Sequence, residues 1–394
     1  MAVNAMTFNQ LATVLNSIVS QATGKQAITA TDYSSFVSVA KTGLEAGYDP
    51  LSTAISQVLS KTIFSVRPYS RKFKGIEMDS VKYGNHVRKV NYIDKPFEEA
   101  DDIKLADGYS IDMYKVNKPS VIQTNFYGLN EYQKTVTIYK DQLDCAMSAP
   151  EEFQQFLAGV MQNAQDMLEQ ARENTARATL ANLIGGTIAL DTAGATSDCV
   201  VHLITEYNAF TGDNIDASTC FNPSVFPNFA KFIYGRIKTL SRMFTERTAC
   251  HHLNFTAGTI MRHTPVEDQR LFLLAPQIDQ VGTNVLSSLF NEEYMRLIPY
   301  EEVNFWQSTD YPAAIKLYGA GFVGANGAAA TADVDKNGIF GILMDREACG
   351  VTLSDQYAGT TPYNVAGKYT NYIFTERSRY FCDNSEKAVV LLLD

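Results

Sequence analysis

The run GAGFVG from Gly319 to Gly324 has the GxGxxG spacing of a loop that cradles a dinucleotide pyrophosphate. Such a loop needs a strand before it and a helix N-terminus after it, so that free amides meet the phosphates. A strand-like stretch precedes the glycines here. ANGAAATADVDKNG follows them without helical periodicity, so the segment reads as a glycine-rich loop. DVDKNG, from Asp333 to Gly338, opens like a calcium loop. Its twelfth position is Met344, where a bidentate glutamate is required, and its ninth is Gly341. Asn337 and Gly338 instead suit a tight turn between strands.

The five histidines are His86, His202, His251, His252 and His263, and none forms an HExxH pair. They read as structural or surface side chains. The six cysteines, Cys145, Cys199, Cys220, Cys250, Cys349 and Cys382, include no CxxC. Scattered thiols without a pairing pattern fit small buried residues in a reducing compartment. GxSxG and P-loop motifs are absent from the sequence. No catalytic, cofactor-binding or metal-binding residue is therefore expected.

Composition narrows the class further. A chain of 394 residues with 45% hydrophobic content can build a core and more than one structural unit. Its formal charge of -10 argues against a dedicated nucleic-acid binder and suits a wall that repels DNA. The 21 tyrosines, against one tryptophan, fit partly wet interfaces. The N-terminal stretch lacks a basic region before its apolar residues, and the apolar run Ala388 to Leu393 is too short to cross a bilayer.

The elements follow from periodicity. Residues 1–62 read as short amphipathic helices, with Leu11, Val14, Leu15 and Ile18 at helical spacing and a second segment near Asp49 to Leu59. Such a stretch suits an arm on a neighbour or part of a core. Residues 63–118 interleave charges of both signs with few bulky apolar residues and read as a long extended hairpin with its tip near Pro96 to Gly108. A loop of that length is functional or contacts something else. Its charges, Arg71, Lys72, Lys74, Glu77, Arg88, Lys89, Glu98, Glu99, Asp101 and Asp102, are the candidate intersubunit contacts, because opposite charges set register and partner choice.

Residues 119–140 alternate as strands. Ser148 and Glu151 have capping-box spacing, with Pro150 tolerated in the first turn, and open a helix that runs on without a further proline to about Ile184, where Gly185 and Gly186 end it. At 1.5 Å per residue that helix is about 54 Å long, a spine for other parts. A helix carrying Phe226, Phe229, Ile233, Ile237 and Leu240 follows. Thr264 and Glu267 repeat the capping-box spacing, while RLFLLAPQ fits a strand or a helix equally. The tail alternates as long antiparallel strands around a turn at Asp383 to Ser385.

In this order of parts the chain resembles the major capsid proteins of tailed bacteriophages with the Hong Kong 97-type fold. FGILMDREACGV at 340–351, TTPYNVAGKYTNYIF at 360–374 and NSEKAVVLLLD at 384–394 look like that family, as do TPVEDQRLFLLAPQ and RLIPYEEVNFWQ. The resemblance implies an α+β fold with an N-terminal arm at 1–62 that reaches across neighbours. An extended loop at 63–118 would lie over an adjacent subunit. A peripheral domain at 119–195 would hold the spine helix, 148–184, and an axial domain would span 196–351. A C-terminal β-hairpin of the peripheral domain would occupy 352–394.

It implies pentamers and hexamers of this chain in an icosahedral shell around double-stranded DNA, bound without sequence specificity. Further partners would be a portal protein, a separate scaffolding protein and possible decoration proteins, with assembly in the host cytoplasm and no membrane. The alternative is an encapsulin-like nanocompartment shell around a cargo enzyme. An α+β enzyme with a site formed only on folding is a third reading, recognisable by a pocket of convergent titratable groups.

Overall fold

The computed structural model describes residues 8–23, 33–45, 50, 54, 71–78, 86–93, 106–108, 110–114, 116, 118, 120–147, 150–196, 198–256, 258–278 and 299–394. The helices are α1 (Phe8–Thr23), α2 (Tyr33–Glu45), α3 (Lys140–Ala146), α4 (Pro150–Thr192), α5 (Leu203–Thr211) and α6 (Phe226–Thr245). The strands, in chain order, are β1 (Glu77–Met78), β2 (Val87–Tyr92), β3 (Val121–Phe126), β4 (Gly128–Tyr139), β5 (Val200–His202), β6 (Gln269–Leu274) and β7 (Tyr300–Val303). They continue as β8 (Ile315–Val323), β9 (Ala329–Lys336), β10 (Ile339–Asp345), β11 (Cys349–Thr360), β12 (Tyr369–Cys382) and β13 (Ala388–Leu392).

Two sheets share the helix α4. The five-stranded sheet runs β5-β13-β10-β6-β7. Its central strands are buried along their whole length, as AVVLL and IFGILMD must be when both faces are covered. Alternation divides the two faces. Ala388, Val390 and Leu392 pack with Leu180, Leu183 and Ile184 of α4. Val389 and Leu391 pack with Phe229, Ile233, Ile237 and Leu240 of α6. The four-stranded sheet, β1-β11-β12-β4, is mostly antiparallel, and β4 alternates intermediate and exposed positions along its length. The remaining pairs, β2-β3 and β8-β9, are two-stranded.

The spine helix has 43 residues, about 64 Å at 1.5 Å each, and passes through Gly185 and Gly186. The glycine pair marks close packing and not a terminus. A Cβ at Gly185 would lie 2.7 Å from Leu317 Cδ1, and one at Gly186 would lie 3.1 Å from Phe322 Cβ, so the β8-β9 hairpin rests on bare helix backbone. The helix stops at Gly194, whose φ of 66° suits glycine, with Ala195 N–H returning to Leu190 O at 2.9 Å. Ser148 lies outside the described residues.

Three other expectations change. The strands flanking the turn at Asp383 do not form a C-terminal hairpin: β12 pairs with β11 and β4, while β13 pairs with β10 and β5. The wholly apolar AVVLL belongs at the centre of a covered sheet, and amphipathic β12 does not. The glycine run at 319–324 lies mostly within strand β8, with Gly319 at φ 72° beside a register shift and no helix after it. Thr264 caps no helix; its hydroxyl donates to Asp345 Oδ2 at 2.6 Å, and a 3-10 turn leads into strand β6.

Helices α1 and α2 pack on their own subunit. Leu15, Ile18 and Phe36 join Ile138, Leu143, Phe153 and Tyr372 in one cluster, with Phe36 edge-on to Phe153. These helices thus contribute to a core of their own subunit. The second helical segment, near Asp49 to Leu59, lies almost wholly outside the described residues.

Candidate functional site: root and stem of the extended hairpin

Several of the motifs with possible chemistry make contacts within the subunit. Asp333 Oδ1 accepts the Gly319 amide at 2.7 Å and Asp335 pairs with Lys316 at 2.7 Å, so the calcium-like acids bind their own hairpin. Asn337 and Gly338, φ 80°, do not close a hairpin as expected: they link β9 to β10, which belong to different sheets, and the Gly338 carbonyl accepts the Leu393 amide at 2.7 Å. His251 and His252 are buried, and burial pushes both below the usual imidazole range. Cys349 and Cys382 face each other across β11-β12, and burial holds both thiols far from ionisation, Cys382 at about 12. Among the described residues no group of three His, Cys, Asp or Glu could hold a metal, and no helix is long and apolar enough to cross a membrane.

What the structure does build is an anchored hairpin. Strand β2 pairs antiparallel with β3 from Val87 opposite Phe126 to Tyr92 opposite Val121. The chain continues through Tyr127 into β4, which joins the four-stranded sheet. The stem thus projects from that sheet, and between its strands lies the segment 93–120.

Residues 71–78 form the root. Arg71 binds Glu77 on its own segment and Glu169 on α4. Its guanidinium is held above its ordinary range, chiefly by the hydrogen bond to Glu77. The Lys72 amide donates to Glu173 Oε2 at 3.1 Å, and the Phe73 amide donates to Glu301. Phe73 itself is buried, stacks on Phe272 with ring centroids 6.0 Å apart, and carries the Arg177 guanidinium 4.9 Å above its ring. It does so at φ 64°, a left-handed conformation that an L-residue adopts only under constraint.

The network continues inward. Arg172 on α4 gives 2.6 Å bonds from Nη1 to Glu169 and from Nε and Nη2 to Glu376 of β12. Glu77, Arg71, Glu169, Arg172 and Glu376 therefore run as one alternating chain from hairpin root to sheet.

Further along, Lys89 of β2 meets Glu347, Asp383 and Glu386, and Arg262 meets Glu386 at 2.9 Å. The turn Asp383 to Lys387 is entirely buried. Lys387 donates to the carbonyls of Met243, Phe244 and Glu246 at 3.3, 3.1 and 2.7 Å, so it caps the C-terminal end of α6.

The candidate charges therefore divide. The charges of Arg71, Glu77 and Lys89 are paired within their own subunit, Lys72 gives its backbone amide to Glu173, the Lys74 and Arg88 side chains lie at the surface, and Glu98, Glu99, Asp101 and Asp102 lie outside the described residues. The partners that sequence reading missed are Glu169, Arg172, Glu173, Glu301, Glu376 and the turn at 383–387. Glu169 with Arg172, three apart, and Glu173 with Arg177, four apart on the same helix, carry a local signal. The hairpin is also less purely charged than expected. Met113, Tyr114 and Val116 are each about four-fifths exposed, and Tyr92 and Tyr127 about two-thirds. Apolar surface gathered on one projection marks a contact region.

The buried turn makes stability depend on pH. Burial pushes the Glu386 carboxyl up to about 7, against the pull of Lys89 and Arg262. The folded chain thus keeps a proton that the unfolded chain releases above 4.5, so this stabilisation is full below that value and is lost as pH rises through 7. Burial pushes Lys387 down to about 8, so its deficit fades only above that pH. The turn is least stable when both groups are charged. Glu386→Gln is expected to flatten the decline between pH 5 and 8, read from denaturant midpoints, because it removes the titrating carboxyl. An unchanged pH slope in Glu386→Gln would rule Glu386 out as its source.

The sequence profile of a family described as Phi29-like phage major capsid protein matches residues 15–392. No curated protein matches the chain in sequence. Among solved structures, a chain of bacteriophage P68, described with the head fiber and inner core protein gp22, is 8% identical with a TM-score of 0.52, over 84% of this chain and 87% of that one. That likeness speaks to fold alone. A chain in the capsid structure of Staphylococcus phage Andhra is 9% identical with a TM-score of 0.49, over 83% and 85% of the two chains. One from the capsid of cyanophage P-SCSP1u is 10% identical with a TM-score of 0.48, over 84% and 91%.

Proposed function

The chain belongs to the Phi29-like phage major capsid protein family, and from that premise we propose how its parts divide the work of building a shell. It is a structural subunit of a phage capsid, and the nanocompartment alternative finds no support in the family match. The observation that carries the proposal is a hairpin riveted at its root by a charge network and a buried aromatic ring, yet bearing exposed Met113, Tyr114 and Val116.

In the Hong Kong 97-type arrangement, the extended loop lies over an adjacent copy and offers those side chains to it. The peripheral domain comprises α4 and the four-stranded sheet, and the axial domain comprises the five-stranded sheet with α5 and α6. The axial parts gather into pentamers and hexamers. Many modest contacts, multiplied over a closed lattice, give a stable shell. An acidic subunit encloses double-stranded DNA without gripping it. A portal protein, a scaffolding protein and decoration proteins are the further partners expected in the host cytoplasm, and the family's structural role leaves no catalytic step to assign.

Negative-stain microscopy of the chain expressed alone, with size-exclusion chromatography, tests this. Closed particles, or sheets and tubes with a hexagonal lattice, are expected. A monomer or dimer at every salt concentration, unchanged by added scaffold and portal, would remove the shell reading. Protein cargo in place of DNA inside particles from infected cells would return the nanocompartment reading.

A further inference from the structure

Beyond its root, the hairpin touches the body of the subunit at a second place. Ile122 of β3 packs beside Leu253, Phe255 and Ile260, and Phe126 lies 5.4 Å from Phe381. These contacts are apolar and set no direction by themselves. Lys89 differs. Its ammonium reaches Asp383 at 3.2 Å, Glu347 at 3.3 Å and Glu386 still more closely, with side chains that are 2%, 62% and 7% exposed.

Two of those carboxylates sit on a turn that cannot shift freely. Ser385 N–H and Oγ bind Asp383 Oδ1, Arg262 binds Glu386 and the Ser385 carbonyl, and Lys387 is tied to the end of α6. The seat is therefore rigid, and it belongs to the junction between the two sheets. Its neighbours hold the Lys89 proton more firmly than water does, even after the cost of burial.

We infer that Lys89 is a positioning residue: seated among Glu347, Asp383 and Glu386, it locks the hairpin stem at one angle to the body of the subunit. This deepens the shell reading, because a stem held at one angle presents Tyr92, Met113 and Tyr114 to the next copy in one place. Without the lock, the stem swings on its apolar contacts and on the root at residues 71–78. A lysine at ion-pair distance from three carboxylates ties the stem to one place, whereas an exposed neighbour such as Arg88 does not.

The test measures the angle in the full-length, unassembled subunit. Spin labels go on the exposed Cys145 and on a Met113→Cys variant, diluted among unlabelled subunits so that only distances within one chain are read. With Lys89 present, one narrow distance population is expected. In Lys89→Met, which keeps the apolar stem of the side chain, the fraction outside that population is expected to rise about tenfold, as for a half-buried pair losing one charge. Lys89→Arg should restore the narrow population and Arg88→Met should leave it untouched.

An equally narrow distribution in Lys89→Met overturns the inference. So does a broad one in Lys89→Arg, which would make shape and not charge the cause. Loss of hydrogen-exchange protection in β10 and β13 of Lys89→Met would overturn it too, because Lys89 would then hold the core. Particle formation by the unmutated chain is scored separately, so failure of the lock and failure of the shell reading are told apart.

Discussion

Arg172→Met is expected to lower the stability of the subunit by about 3 kcal/mol, read as a drop in denaturant midpoint, because it strands a buried carboxylate. Glu376 is 2% exposed, and its charge is met by the two-pronged Arg172 contact and by Gln356 Nε2 at 2.9 Å. Removing the guanidinium leaves one neutral donor to stabilise a full charge out of water. The same change frees Glu169, which then leans on Arg71 alone and loosens the hairpin root. Arg172→Lys recovers only part of the loss, since an ammonium is a single point and cannot serve Glu169 and Glu376 in the same plane. Adding Glu376→Met to Arg172→Met should restore most of the stability, because an apolar pair of that size has no charge to solvate. If the double variant is as unstable as Arg172→Met, packing and not the stranded charge is the cause. Hydrogen exchange across β12 gives the spatial readout, with protection lost where the sheet meets α4.

Local pattern was enough for elements whose neighbours are close in sequence. The stripe of Phe226, Phe229, Ile233, Ile237 and Leu240 announces α6. Interleaved charge marked out residues 63–118, but the antiparallel pair β2-β3 draws its second strand from 121–126, beyond that segment. What local pattern hides is partner choice. Gly185 and Gly186 look like a helix stop until a second hairpin is seen to need their bare backbone. AVVLL and RSRYFC look like two arms of one hairpin, and only the sheet they enter separates them. The charge chain from Glu77 to Glu376 joins residues about 300 apart in sequence, so no window contains it. The DNSEK turn is harder still. Its composition is that of a solvated loop, and it is buried because Lys89, Arg262 and the end of α6 supply countercharge from three distant segments. Thus the family could be reached from the sequence, while the residues that hold the hairpin could not.

Phe73→Ala is expected to cost about 4 kcal/mol and to abolish closed particles, the largest effect of any single truncation at the hairpin. The ring fills a cluster with Ile76, Leu180, Phe272, Leu274 and Trp306 and shares Arg177 with Phe305, so little around it can collapse into the space it leaves. Its backbone supplies a sharper test. At φ 64° and ψ 33° any residue with a Cβ carries strain, and alanine retains it. Phe73→Gly loses the same ring but relaxes that strain, so it should be more stable than Phe73→Ala by up to about 1 kcal/mol, the reverse of the usual order for these two residues. The Glu301 carboxylate, which receives the amides of Phe73 and Gly75, has no side-chain reason to distinguish the two variants. Denaturant midpoints of the unassembled subunits decide the order, and alanine above glycine would mean that Phe73 is not held left-handed. Particle counts then separate fold from function. If Phe73→Gly subunits are folded at working temperature yet form no closed shells, the ring's task is to fix the hairpin for its neighbour; if they assemble normally, the root is a stability device and the contact between copies is made elsewhere on the hairpin.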